Sequence, residues 1–285
     1  MKAVSVILLA ALLSAGVAVG SQCDCGSCND GFFFGIDRRF NATFTVEFAS
    51  GYLASSGALY DTMPVTSQCL EGRLDLGEYG WIEGYGWIIS ALHDRKHESY
   101  RPLFNEFEGG LLYGYDFKLN EKVKFHSVFG PIWNPQIGAR ESHNSYWGLY
   151  FTESIENPLL VPFMSSLWMQ EPYQRSRIRF GVRRRFMLYD GLSVTPSIES
   201  IWYDRHRYTA RYGENPRRDF LHGAFTMAVA GLRFDWKASE NLNFFMRIRQ
   251  TDVIDLQARK ATKKMTSYYA RCDWPIIGIG FEYGF

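Results

Sequence analysis

A chain of 285 residues, of which 16% are aromatic and which carries a formal net charge of +1, fits one or two ordinary domains. The near-neutral balance gives no electrostatic reason to expect a nucleic-acid partner. A negative mean hydropathy with so many aromatic residues is unusual for a helical membrane protein. It suits a barrel whose strands have one polar face.

The first 20 residues have the features of an export signal. Lys2 supplies a short positive region, the apolar run from Val4 to Leu13 is too short to span a bilayer, and Ala18 to Gly20 offers a small-residue cleavage site. We therefore expect residues 1–20 to be a signal peptide. The alternative is an N-terminal transmembrane helix, for which the stretch is short.

Three of the five cysteines, Cys23, Cys25 and Cys28, crowd the start of the expected mature chain. Such a cluster could ligate zinc or an iron–sulfur centre. In an oxidising compartment the simpler outcome is a local disulfide with one thiol left over. We expect no metal and no cofactor, and we interpret residues 21–39 as a short periplasmic tail.

From about residue 40 onward, the dominant pattern has a period of two. Successive side chains of a strand face opposite sides, so a membrane barrel alternates lipid-facing apolar residues with lumen-facing polar or small ones. The segment from Phe107 to Phe117 is the clearest example. In the segment 80–91 the residues Trp81, Tyr85 and Trp87 share an apolar face, which we expect to meet lipid, and Glu83 breaks the pattern.

This alternation predicts twelve strands, of which the one carrying Pro162 has the weakest pattern and the last one can be as short as its final dozen residues. The predicted strands are 43–54, 67–77, 80–91, 104–118, 121–132, 145–153, 159–170, 175–189, 191–203, 219–237, 241–251 and 266–285.

The connections between these strands alternate in length. Most are short turns, such as those at 77–80, 190–191 and 238–241, while longer segments such as 93–103 and 135–144 lie between them. A transmembrane barrel has short turns at one end and long loops at the other, and both termini then lie on the short-turn side. We therefore predict an all-β fold, a closed antiparallel transmembrane β-barrel of about 12 strands over residues 40–285, with 10 or 14 strands as alternatives. A soluble all-β protein is the other alternative, but it would not place aromatic residues outside and charges inside.

The chain ends with alternating apolar residues, among which Gly280, Tyr283 and Phe285 have a characteristic spacing. This ending resembles the assembly signal of bacterial outer-membrane proteins, and Ile279 departs from that pattern. The segment from Phe48 to Trp87 resembles the start of a family of small, porin-like outer-membrane barrels of uncharacterised function. These resemblances imply an integral protein of the outer membrane of a Gram-negative bacterium. Its expected partners are outer-membrane lipids and the assembly machinery.

The predicted inward faces carry many charges. Five arginines at positions of one parity share a single face of the strand 175–189, and the other strands add carboxylates and further arginines. These expected lumen-lining residues are Arg175, Arg177, Arg179, Arg183 and Arg185, with Glu47, Glu71, Arg73, Asp75, Glu106, Glu108, Glu199, Arg233, Arg247 and Arg249.

Two interpretations of these charges remain open. Arginine–carboxylate pairs could fill and plug a narrow interior, because buried charges must be paired. An arginine-lined, wetted lumen would instead favour anions. A barrel of about twelve strands lies between filled and open sizes, so the strand count does not decide.

We expect a narrow, porin-like channel for small solutes with a preference for anions. The alternative is a filled structural or surface-interaction barrel without transport. The third possibility is a lipid-modifying enzyme, in which His143 and Ser145 would act as base and nucleophile. Tyr146 stands where such a site would have an asparagine, so we expect no enzyme. The basic loop 204–218 is a candidate for contact with lipopolysaccharide phosphates, against an ordinary solvated loop.

Overall fold

The computed structural model describes residues 39–53, 59–61, 64–92, 106–134, 146–169, 175–204, 223–264 and 273–285. Apart from a short 3₁₀ turn, this part of the chain contains strands and one helix, α1 (Leu256–Lys264). The strands in chain order are β1 (Phe40–Ala49), β2 (Tyr52–Leu53), β3 (Leu59–Asp61), β4 (Val65–Asp75), β5 (Trp81–Ala91), β6 (Glu106–Asn120), β7 (Val123–Asn134), β8 (Tyr146–Glu156), β9 (Val161–Met169), β10 (Arg175–Arg183), β11 (Phe186–Tyr189), β12 (Leu192–Tyr203), β13 (Ala224–Lys237), β14 (Leu242–Val253) and β15 (Asp273–Gly284).

Twelve of these strands form one closed antiparallel ring. Neighbours in sequence pair with each other, and the first strand, β1, pairs with the last, β15. β2 and β3 form a separate small hairpin, and β11 continues β10 along β12. The prediction of a closed barrel with twelve strands is confirmed. The last strand occupies only the final dozen residues of the predicted segment.

The strand β11 is an extension of β10 rather than a new element. Arg183 pairs with Ser197 and Phe186 pairs with Val194, so the register against β12 is the same before and after the two-residue interruption. Arg185 therefore lies on the same face as Arg183, because two positions separate them.

The short turns at one end of the barrel have recognisable local causes. The side chain of Asn120 accepts hydrogen bonds from the backbone of Lys122 and Val123, both at 2.9 Å, and Asn157 does the same for Leu159 and Leu160. Such contacts let an asparagine stabilise a turn within its own neighbourhood. The longer connections lie at the other end, which also holds α1.

The outer wall of the barrel is apolar and exposed. Large side chains at alternating positions point away from the ring, including Leu111, Trp168 and Ile198, of which Ile198 is 65% exposed. Exposed apolar surface on this scale is what a protein needs in order to contact lipid. No helix in the described part of the chain is long and apolar enough to cross a membrane.

One strand faces the other way from the sequence-based prediction. Tyr85 pairs with Glu71 and Trp87 with Cys69, so the aromatic face of β5 points into the lumen together with the carboxylates. Trp81 is only 3% exposed. The prediction that this face meets lipid was wrong, and Glu83 conforms to the alternation. The outward face of β5 carries Ile82, Gly84, Gly86 and Ile88 instead.

Part of the lumen is filled by apolar side chains. One buried cluster, spanning β5 to β9, contains Trp81, Leu112, Val128, Ile132, Leu167 and Met169. A second cluster lies at the long-loop end, where Ala258 of α1 packs against Ile201, Tyr203, Met227, Val229 and Val253. The interior is therefore charged in some sectors and apolar in others.

Candidate site in the barrel lumen

Arg177, Arg179 and Arg183 lie on the inward face of β10. Arg177 pairs with Leu167 on one side and Tyr203 on the other, and its side chain is buried. Arg179 and Arg183 follow it down the same face. Arg175 begins the strand, but its side chain lies outside the described residues. Arg185 donates from Nε to the hydroxyl of the inward-facing Ser193 at 2.9 Å.

Three luminal arginines are neutralised by carboxylates. Arg179 donates through Nε to Glu199 Oε2 at 2.9 Å and also contacts that oxygen through Nη2. Arg247 Nη1 lies 3.2 Å from Glu47 Oε2. Confined charges of opposite sign are stabilised in this way because each partner offsets the loss of hydration of the other.

Arg233 has two carboxylate partners. Its Nη2 lies 2.7 Å from Asp235 Oδ1 and 2.6 Å from Glu282 Oε1. Asn243 donates to both carboxylates at 3.1 Å and links them into one network. This network occupies the lumen near the short-turn end of β13, β14 and β15.

Two luminal arginines differ from these three. Within the described residues, neither Arg183 nor Arg249 forms an ion pair with a carboxylate. The guanidinium of Arg183 lies 5.6 Å from the centre of the Phe163 ring, which is a weak cation–π contact. Within the described residues, these two guanidinium groups thus lack the direct carboxylate contact that the other three have.

The acidic residues gather on a different part of the wall. Glu71, Glu83 and Glu108 face the lumen from β4, β5 and β6, and Tyr85 donates its hydroxyl to Glu108 at 2.9 Å. Asp75 shares this face of β4, and so does Arg73, whose guanidinium lies 3.9 Å from the centre of the Trp81 ring. Glu106 begins β6, and its side chain lies outside the described residues. The lumen therefore has an acidic sector and a basic sector.

A cavity of about 440 Å³ lies beside the basic sector. Its charged lining consists of five arginines and one carboxylate, which are Arg179, Arg183, Arg233, Arg247, Arg249 and Glu199. Sequence reasoning named each of these, but it missed the hydroxyl groups of Thr152, Ser154 and Ser165, which line the cavity together with those of Thr195 and Ser197. Thr195 and Ser197 share the parity of Glu199 on β12, whereas β9 has no charged residue that would mark Ser165.

The cavity also includes a histidine that the sequence did not single out. His126 Nδ1 lies 2.8 Å from Asp116 Oδ1, and Lys124 Nζ lies 2.6 Å from Asp116 Oδ2. The imidazole stacks on Trp81 with ring centres 5.0 Å apart. This cluster connects the polar cavity to the apolar side of the lumen.

The residues of the proposed C-terminal signal lie on both faces of β15. Tyr283 and Phe285 point outward, with ring centres 4.9 Å apart, and Gly280 faces the lumen. The segment 1–38 with its three cysteines, the pair His143 and Ser145, and the loop positions 205–218 all lie outside the described residues. Among the described residues, no group of three or more metal-binding side chains comes together.

A closed ring of twelve strands with an apolar outer wall and a charged interior defines a transmembrane β-barrel. Solved structures of outer-membrane barrels are similar to this chain at the level of fold. The COG4313 outer membrane channel from Pseudomonas putida F1 matches over 90% of this chain and 99% of its own length, with 9% identity and a TM-score of 0.52.

Two further matches are more distant. NanC porin covers 85% of this chain and 98% of its own, with 8% identity and a TM-score of 0.49. Outer membrane phospholipase A from Escherichia coli covers 85% and 92%, with 11% identity and a TM-score of 0.45. No protein-family model and no curated protein matches the sequence. At such identities the likeness concerns the fold alone and assigns no activity.

Proposed function

We propose that the protein is a narrow, porin-like channel of the bacterial outer membrane with a preference for small anions. The observation that carries this proposal is the charged lining of the luminal cavity, in which five arginines face a single carboxylate. Fixed positive charge on the wall of a pore lowers the energy barrier for the passage of anions and raises the barrier for cations.

The same fold supports the proposed location in the outer membrane. The backbone of a spanning segment has no water to bind in a bilayer, so all its polar groups must pair, and a closed barrel meets this requirement. In this proposal residues 1–20 direct export, residues 21–39 form a periplasmic tail, and the outer wall contacts membrane lipids. The loop 204–218 is the proposed contact with lipopolysaccharide. The protein acts as a passive channel rather than an enzyme.

The proposed anion preference rests on the two cavity arginines that have no ion pair with a carboxylate. Arg179, Arg233 and Arg247 have carboxylate partners that cancel much of their field, whereas Arg183 and Arg249 have none within the described residues. In a confined lumen the effective dielectric constant falls below that of water, and charges act more strongly on a passing ion.

Reconstitution of the folded protein into planar bilayers tests this function. Under a gradient of KCl we expect discrete current steps and a reversal potential displaced toward the equilibrium potential of chloride. The folded state is checked by circular dichroism in the same detergent. A folded sample that carries no current would sink the channel proposal, and a displacement toward potassium would sink the anion preference.

The second candidate function is a filled barrel that serves as a structural or interaction protein. The specific observation in its favour is the luminal apolar cluster around Trp81 and Leu112, which occupies one side of the interior. The same bilayer experiment separates the candidates, because a filled barrel gives no current in a correctly folded sample.

A further inference from the structure

We infer that the lumen contains a discrete binding site for a phosphate group, formed by Arg183, Ser197, Gly231 and Arg249, which we call the arginine notch. The inference deepens the proposed function, since the notch lies in the lumen of the proposed channel. The inference names the anion that binds in the lumen and the residues that bind it.

The register of four adjacent strands creates the notch. Arg183 of β10 pairs with Ser197 of β12, Ser197 pairs with Gly231 of β13, and Gly231 pairs with Arg249 of β14. The four residues thus form one row across the inner wall, with the two arginines at its ends. All four line the same cavity.

The dimensions of this row suit a single oxyanion. Neighbouring strands are about 4.8 Å apart, so three steps along the curved wall separate the two arginine Cα atoms by at most about 14 Å. An extended arginine side chain covers roughly half of that distance. The guanidinium groups of Arg183 and Arg249 can therefore approach a common ligand above the small residues between them.

The floor of the notch depends on a glycine. A Cβ atom added to Gly231 would lie 2.5 Å from the hydroxyl oxygen of Ser197, which is much closer than van der Waals contact. Glycine at this position leaves room for the Ser197 hydroxyl, which lies over Gly231 at the cavity wall. A larger residue would displace it and raise the floor.

Charge selects the class of ligand. Arg179, Arg233 and Arg247 beside the notch already have carboxylate partners, whereas Arg183 and Arg249 have none among the described residues. Two guanidinium groups without an ion pair favour a ligand that carries more than one negative charge. Phosphate carries between one and two negative charges at neutral pH, and its oxygens can accept a forked pair of hydrogen bonds from each arginine and one from a serine. A carboxylate neutralises one of the two arginines, and chloride offers no fork.

Calorimetric titration of the detergent-solubilised full barrel with inorganic phosphate tests the site without requiring conduction. We expect saturable binding with one site per chain. R183S and R249S should each weaken binding by about tenfold or more, since each removes charge-assisted hydrogen bonds. G231A should weaken it as well, although it changes no charge.

Two matched controls separate the notch from general electrostatics. Arg184 is the sequence neighbour of Arg183, but its guanidinium lies over the Phe186 ring at 4.9 Å, on the other face, so R184S should leave phosphate affinity unchanged. G84A is the control for the glycine, because a Cβ there meets nothing within 4 Å. Equal weakening in R183S and R184S would overturn the inference, since it would indicate attraction by net charge alone.

Further titrations identify the ligand and separate this inference from the proposed function. A phosphomonoester such as glucose 6-phosphate that binds as tightly as inorganic phosphate identifies the phosphate group itself as the ligand, and binding of inorganic phosphate alone identifies the free ion; either supports the site. Binding of acetate or chloride as tight as that of phosphate would overturn it. A conducting channel without phosphate binding refutes the notch and keeps the channel, whereas phosphate binding without conduction refutes the channel and keeps the notch.

Discussion

At the scale of single residues, the luminal ion pairs determine how much positive charge a solute encounters. Arg179 is 31% exposed at its side chain and Glu199 12%, so their pair is only partly screened by water. Removing one partner of such a pair leaves the other charge without compensation, which costs more than the pair itself contributes.

We therefore expect E199Q to have two effects. The anion preference should rise, because Arg179 is freed, and the free energy of unfolding should fall by about 1–3 kcal/mol, the cost of an unsatisfied polar partner. Reversal potentials in a salt gradient and urea unfolding in lipid vesicles measure the two quantities. Glu153 is exposed and faces outward from β8, so E153Q is the control. Identical shifts in both variants would contradict the luminal role of Glu199.

The residue scale also shows what sequence reasoning can supply. Period-two spacing is enough to predict that Arg179, Arg183 and Arg185 share one face, because spacing along a strand is a local property. It could not show that Arg249 shares a row with Arg183. That juxtaposition depends on the registers of three strand pairings, which are set by contacts between segments distant in sequence.

At the scale of elements, β5 marks the limit of period-two reasoning. Alternation indicates which residues share a face, but it does not say whether that face meets lipid or the lumen. The aromatic residues of β5 look lipid-facing by composition, yet they pair with Glu71 and Cys69 inside. Glu83 was the available signal, since a carboxylate within a spanning strand must avoid hydrocarbon. Most of the twelve strands were predictable, because each has enough alternating residues to be recognised alone, whereas the strand that carries Pro162 has the weakest pattern.

Among the described residues, the helix α1 lies at the long-loop mouth of the lumen. Asp255 precedes it, and its Oδ1 accepts a hydrogen bond from the backbone of Ala258 at 2.7 Å, as an N-terminal cap does. Ala258 is fully buried against inward-facing residues of β12, β13 and β14. The helix α1 is thereby held against the inner wall.

We expect A258W to displace this helix, because a buried alanine site has no room for an indole. Single-channel conductance should increase as the mouth widens, and the melting temperature should fall. Gln257 is exposed, so Q257W adds the same side chain to the same helix and should change neither quantity. A conductance that stays constant in A258W would show that α1 does not restrict the mouth.

At the scale of the whole molecule, closure between β1 and β15 removes the open edges of the sheet. The same closure divides the side chains into an outer wall that must tolerate hydrocarbon and an inner wall that need not. Filling by the apolar cluster around Leu112 then confines the polar cavity to the arginine-rich side. The basic character of the site is thus a consequence of where the interior is left open.

The outer wall provides the test of this arrangement. Ile198 lies in the middle of β12 and faces outward, whereas Tyr189 is exposed at the short-turn end of β11. An arginine near the bilayer midplane costs about 2–4 kcal/mol of folding free energy, and near the interface about 0–1 kcal/mol. We therefore expect I198R to destabilise the barrel strongly and Y189R weakly, as measured by urea unfolding in phosphatidylcholine vesicles. Equal costs at the two positions would mean that this wall does not face hydrocarbon, because only a bilayer imposes a penalty that depends on depth.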